Sequence, residues 1–146
     1  MSERVEAWKR TSRKHREDAI SLEGVSLSYA IYAWQQAAET AIKCAILSTG
    51  ESFSHVHSLL RLWAELGEQV PLPELNAQRI EDMRNLSGLN TSARYPTGDE
   101  AEAHFETLST ATLEMAKRTG EFIFDTLSDV LPEVFPTQHS SDEPSR

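Results

Sequence analysis

The stretch SLSYAIYAWQQAAETAIKCAILS, residues 26–48, decides the fold. Leu27, Ile31, Trp34, Ala38, Ala41 and Ala45 recur at three- and four-residue intervals and draw one apolar seam, which Ala30, Ala33 and Ala37 widen. That period predicts a helix stopped at Gly50. So many alanines let neighbouring helix backbones approach closely, which marks this helix as the centre of a bundle. Tyr32, Gln36, Glu39 and Lys43 form a polar line on another side at the same spacing.

Outward from that centre the chain reads as helix on both sides. Upstream, Val5, Trp8, Ser12, His15, Ala19 and Leu22 share one stripe of a helix ending near Gly24. Ser12 and His15 interrupt the stripe, which suits a helix at the edge of the bundle or against another chain. Downstream, Ser54 can cap a third helix carrying Leu59, Trp63, Leu66 and Val70 on one face, and Pro71 and Pro73 end it. A short fourth helix uses Leu75, Ile80, Met83 and Leu86. From Leu86 to Gly98 the residues Ser87, Gly88, Asn90, Thr91, Ser92, Pro96 and Gly98 predict a long loop. Thr97 and Glu100 have capping-box spacing at the head of a long last helix, with Ala101, Phe105, Leu108, Thr112, Met115, Thr119 and Phe122 as its seam. No strand pattern competes, so the expected fold is all-α, an up-and-down bundle of four to five helices.

At 146 residues and 39% hydrophobic composition, the chain suits one domain, placed at residues 1–131, with 132–146 as a disordered tail. The lone Cys44 can form neither an internal disulfide nor a multi-thiolate metal site and reads as a buried inert thiol. No apolar run of membrane-spanning length occurs and the first residues are basic and polar, so a cytoplasmic location away from membranes is expected. The formal charge of -9 argues against a surface that embraces phosphate over its whole extent. Its distribution is uneven, however: residues 1–16 sum to +4 and the remainder to -13. The basic start is either a solvated helix face or a patch for RNA or an acidic protein.

Several polar residues carry more than one reading. Glu39 and Lys43, four apart in the favoured order, form either a surface pair worth about 0.3 kcal/mol or part of a half-buried strip with Gln36. His57, which can donate and accept, is a natural partner for that strip, or else a capping or core-edge histidine. Arg94 and Tyr95 combine a planar cation with a phenol, which suits a phosphate or nucleobase contact as well as simple anchoring of a loop. His55 and His57 lack a third ligand nearby, so no metal and no cofactor is expected. Asp99, Glu100, Glu102 and Glu106 read as a complement to a helix dipole.

The run Gln35-Gln36-Ala37-Ala38-Glu39-Thr40-Ala41-Ile42-Lys43 resembles the QQAxExxxK signature of HEPN domains, small helical proteins of bacteria, archaea and some eukaryotic chains. His57-Ser58-Leu59-Leu60-Arg61-Leu62 looks like that family's histidine-and-leucine start of the third helix, and Arg94-Tyr95-Pro96 matches its RYP motif. The three occur in the expected order over residues 30–116.

The resemblance implies binding residues at Gln36, Glu39, Lys43, His57, Arg94 and Tyr95, a homodimer, and an RNA or nucleotide ligand. It further implies an RNase-type toxin paired with a minimal nucleotidyltransferase. Nuclease members carry an arginine followed by four to six residues and a histidine. Here the next histidine after Arg94 is His104, ten positions on; Arg10 and His15 fit the spacing but lie in the first helix, about 140° apart around its axis. The family's acidic residue of the first helix is represented by Asp18, out of register. A metal-independent endoribonuclease would take Arg94 as the cation facing the phosphate and His104, or His57, as the proton carrier. The alternative is a non-catalytic dimeric interaction or nucleotide-binding module, and a plainer one is a structural helical subunit.

Overall fold

The computed structural model describes residues 2–94 and 108–137. Within them five helices follow one another: α1 (Glu3–Leu22), α2 (Leu27–Ser48), α3 (Leu59–Gly67), α4 (Ala77–Arg94) and α5 (Thr110–Val130). Among the described residues there is no strand, and the all-α bundle is as the periodicities predict.

The alanine-rich α2 is the hub, in contact with each of the other four helices. Its seam is buried from Ala30 onward: Ala30, Trp34, Ala38, Ala41 and Ala45 are fully buried, and Leu27 at the start partly so. The α1 stripe lies against it, with Val5, Ser12 and Ala19 buried. Ser12 tolerates burial because its hydroxyl donates to the Lys9 carbonyl of its own helix at 2.9 Å. Gly50, at φ 92°, takes the left-handed turn after α2 that glycine adopts without steric penalty.

Three boundaries differ from the sequence reading. Ser58, not Ser54, caps α3, accepting from the Arg61 N–H at 3.2 Å, while the Ser54 N–H donates to Glu65 Oε1. Helix α4, capped by Asn76, does not stop at Leu86 but runs on to Arg94, through most of the expected loop. Its turn-forming residues yield to packing: Met83 and Leu86 are fully buried and Leu89 extends the same face onto the core. Ser87, whose hydroxyl could compete with the helix, accepts the Leu59 N–H at 2.9 Å instead.

The last helix is likewise not continuous from Thr97. Ser109, in extended conformation, caps α5 in a reciprocal capping box with Thr112. Thr97 and Glu100 lie outside the described residues. The expected seam of α5 is right in part: Met115 and Thr119 are buried, but the core face also takes in Leu113, Ala116, Gly120, Ile123 and Leu127, while Phe122 lies to the side against Trp63. Beyond α5, the segment expected to begin a free tail turns back and buries Val134 and Phe135, the latter edge-on to Phe124.

Candidate functional site

Within the polar line of α2, Glu39 and Lys43 face the segment that joins α2 to α3, and only Tyr32 at its start stays partly exposed. Gln35, Gln36, Glu39 and Lys43 are all buried. A surface ion pair is therefore excluded for Glu39 and Lys43, whose side chains are only 5% and 9% exposed. Glu39 is the acceptor at the centre. Its Oε2 takes a hydrogen bond from Lys43 Nζ at 2.9 Å and its Oε1 one from Gln35 Nε2 at 3.0 Å. His57 Nδ1 lies 3.2 and 3.0 Å from the two carboxylate oxygens. Gln36 Nε2 donates to Gln35 Oε1 at 2.6 Å, so the strip is one continuous network.

Burial alone would raise the Glu39 carboxyl pKa. The hydrogen bonds from Lys43, Gln35 and His57, together with the Lys43 charge, outweigh it and hold the group below the ordinary carboxylate range. An ionised carboxylate only accepts, so the proton of a neutral His57 sits on Nδ1. Its Nε2 is then left as a lone-pair acceptor on a ring that is 53% exposed, with no partner among the described residues.

Aromatic rings close the other end. Lys43 Nζ stands 5.1 Å above the Phe53 ring, and Phe53 meets Trp8 of α1 and His55 edge-on. Burial pulls down the pKa of His15, also on α1, against the opposing charges of Asp18 and, more weakly, Glu39. Gln35, which the sequence reading did not single out, proves to be integral. Its i,i+4 spacing to Glu39 was the available signal.

The structure thus brings Gln36, Glu39, Lys43 and His57 together. Arg94 is the last residue of α4, two turns along the helix from Ser87, and Ser87 itself holds the start of α3 two residues from His57. Tyr95 and His104 lie outside the described residues. Arg10 and His15 part company on α1: Arg10 is exposed and His15 is half-buried toward α2. Cys44 donates to the Val5 carbonyl and burial pushes its thiol up to about 11, so it carries no nucleophile at neutral pH.

A second charged centre, absent from the sequence reading, joins α4 to α5. Arg118 forks onto the buried Asp82 at 2.8 and 3.0 Å, with Gln78 donating to the same carboxylate at 2.8 Å. Its local signal was again an i,i+4 pair, Gln78 and Asp82. Among the described residues no cluster of three His, Cys, Asp or Glu side chains is placed to hold a metal ion, and no helix is long and apolar enough to cross a membrane.

A helical bundle around a central helix with a buried glutamine–glutamate–lysine strip defines a narrow class of helical proteins. The HEPN domain matches residues 5–129, and the chain belongs to the HEPN family. Among solved structures it is similar to TT1696 from Thermus thermophilus, at 25% identity and a TM-score of 0.58, over 86% of this chain and 100% of that one. No curated protein matches it.

Proposed function

We propose that this HEPN protein binds and acts on RNA or nucleotides, as the RNase-related partner of a minimal nucleotidyltransferase, and works as a homodimer. The observation that carries the reading is the Glu39–His57 contact. A buried carboxylate fixes the imidazole through Nδ1 and leaves Nε2 outward, able to take a proton from a ribose 2′-hydroxyl. RNA cleavage of this kind needs no metal: the 2′-oxygen attacks the adjacent phosphorus, the bond to the 5′-oxygen breaks, and that oxygen takes up a proton. Arg94 and His104 would supply the cation beside the crowded phosphate and the acid for the leaving oxygen.

Labelled RNA incubated with purified protein in the presence of a chelator tests this. Cleavage is expected, lost in His57→Ala, Arg94→Ala and His104→Ala while circular dichroism still reports the helices. Wild-type protein that neither cuts nor binds RNA or nucleotides overturns the reading. Co-purification with a minimal nucleotidyltransferase tests the pairing. A second reading, a non-catalytic binding module, is favoured by the ten-residue spacing from Arg94 to His104; binding without cleavage selects it.

A further inference from the structure

We infer that Lys43 is a positioning residue for His57: by balancing the charge of Glu39 inside the protein, it leaves the imidazole neutral, with Nε2 bare and turned outward. This rests on the proposed role of His57 in RNA cleavage and adds to it what sets the protonation state of the ring. The carrying observation is that one buried carboxylate has two candidate counter-charges. Lys43 Nζ stands 2.9 Å from Glu39 Oε2, and His57 Nδ1 stands 3.0 Å from the same oxygen. The two differ in how firmly they are held. The Lys43 side chain is 9% exposed and its ammonium lies 5.1 Å from the centre of the Phe53 ring, which Trp8 meets edge-on, whereas the His57 side chain is 53% exposed.

Charge balance decides between them. Burying a carboxylate is costly unless it is both compensated and hydrogen-bonded. Gln35 gives Oε1 a neutral donor and Lys43 gives Oε2 a full charge, so Glu39 is balanced before the imidazole is counted. His57 then owes the carboxylate only a hydrogen bond, and the Nδ1–H of a neutral ring suffices. With the ammonium removed, the imidazole is the group in contact that can restore the charge, by binding a second proton at Nε2. That proton occupies the lone pair with which a base would act. Among the described residues no other flanking group takes its place: His15 of α1 is disfavoured as a cation by burial, His55 of the joining segment packs edge-on to Phe53, and Arg61 of α3 turns to Glu65.

Nitrogen NMR on protein labelled at histidine tests this, with His57→Gln identifying the signal, because a bare ring nitrogen and a protonated one resonate far apart. In wild type just above neutral pH, His57 should show a bare Nε2 and a protonated Nδ1. In Lys43→Met the pH at which Nε2 gains its proton should rise by about 1 unit, and Lys43→Arg should restore the wild-type value. RNA cleavage by Lys43→Met should lose kcat at neutral pH with KM little changed and regain it as the pH is raised, which a merely loosened fold would not do. Glu39→Gln, which leaves the cation unbalanced, should lower the same midpoint, and it carries the test if Lys43→Met does not fold. An unmoved midpoint in either folded variant overturns the inference, as does a protonated Nε2 in wild type or a folded Lys43→Arg that behaves like Lys43→Met. Wild-type protein that cuts no RNA removes the functional reading instead and leaves the nitrogen spectrum to judge the charge balance.

Discussion

A Cβ placed on Gly120 would stand 2.5 Å from Cε3 and 2.9 Å from Cζ3 of Trp34. The indole is fully buried on α2 and has no room to withdraw, so α5 packs flush on the central helix only because residue 120 has no side chain.

Gly120→Ala should therefore destabilise the protein by about 1–2 kcal/mol, overpacking outweighing the gain in helix propensity. Urea denaturation measures it. In a Trp34→Leu background the same substitution should cost less, since the two positions touch; equal costs in both backgrounds would disprove the steric account.

Lys43→Met leaves Glu39 buried without its cation and should cost about 3 kcal/mol. The double variant Glu39→Gln, Lys43→Met, with no charge left in the strip, should recover part of that loss. A double-mutant cycle by chemical denaturation reads the coupling, and strict additivity would show that the buried pair behaves as two independent residues.

The depressed Glu39 pKa links this centre to pH. A carboxyl whose folded value lies below its ordinary 4.5 adds stability that is fully present above that value and is lost as pH falls through the folded value. Wild type should accordingly lose stability on acidification. Glu39→Gln should lose less, its remaining acid sensitivity coming from groups such as Asp82, held low chiefly by its hydrogen bonds from Arg118 despite burial. Parallel curves for the two proteins would contradict the assignment.

Cys44 should resist thiol reagents in the native protein at neutral pH and react at once in denaturant, because its sulfur is fully buried and its thiol is pushed up to about 11. Prompt native-state labelling would place the residue elsewhere than under α1.

How much of this was readable beforehand depended on the length scale of the interaction. The α2 seam and the α1 stripe were legible because each repeats within its own helix, and a repeat is visible without a partner. Glu39 and Lys43 were legible as a pair, but their burial was not: it comes from Phe53 and His57, which the chain returns to the strip from beyond Gly50. The extension of α4 to Arg94 was hidden for the opposite reason. Ser87 and Gly88 favour a turn locally, and only contacts with α3 and the core override them. The core face of α5 was read only in part, through Met115 and Thr119, because Ala116 and Gly120 carry no hydrophobic weight, although the missing side chain of Gly120 is what Trp34 requires.

The bond from the Ser87 hydroxyl to the first amide of α3 has one more consequence. It pins the middle of α4 to the first turn of α3, so that the shorter arm of α4 finishes at Arg94 and the pin sits two residues from His57. That arm and the imidazole are thereby tied by a side-chain-to-backbone bond as well as through the hydrophobic interior, where Leu89 packs on the core.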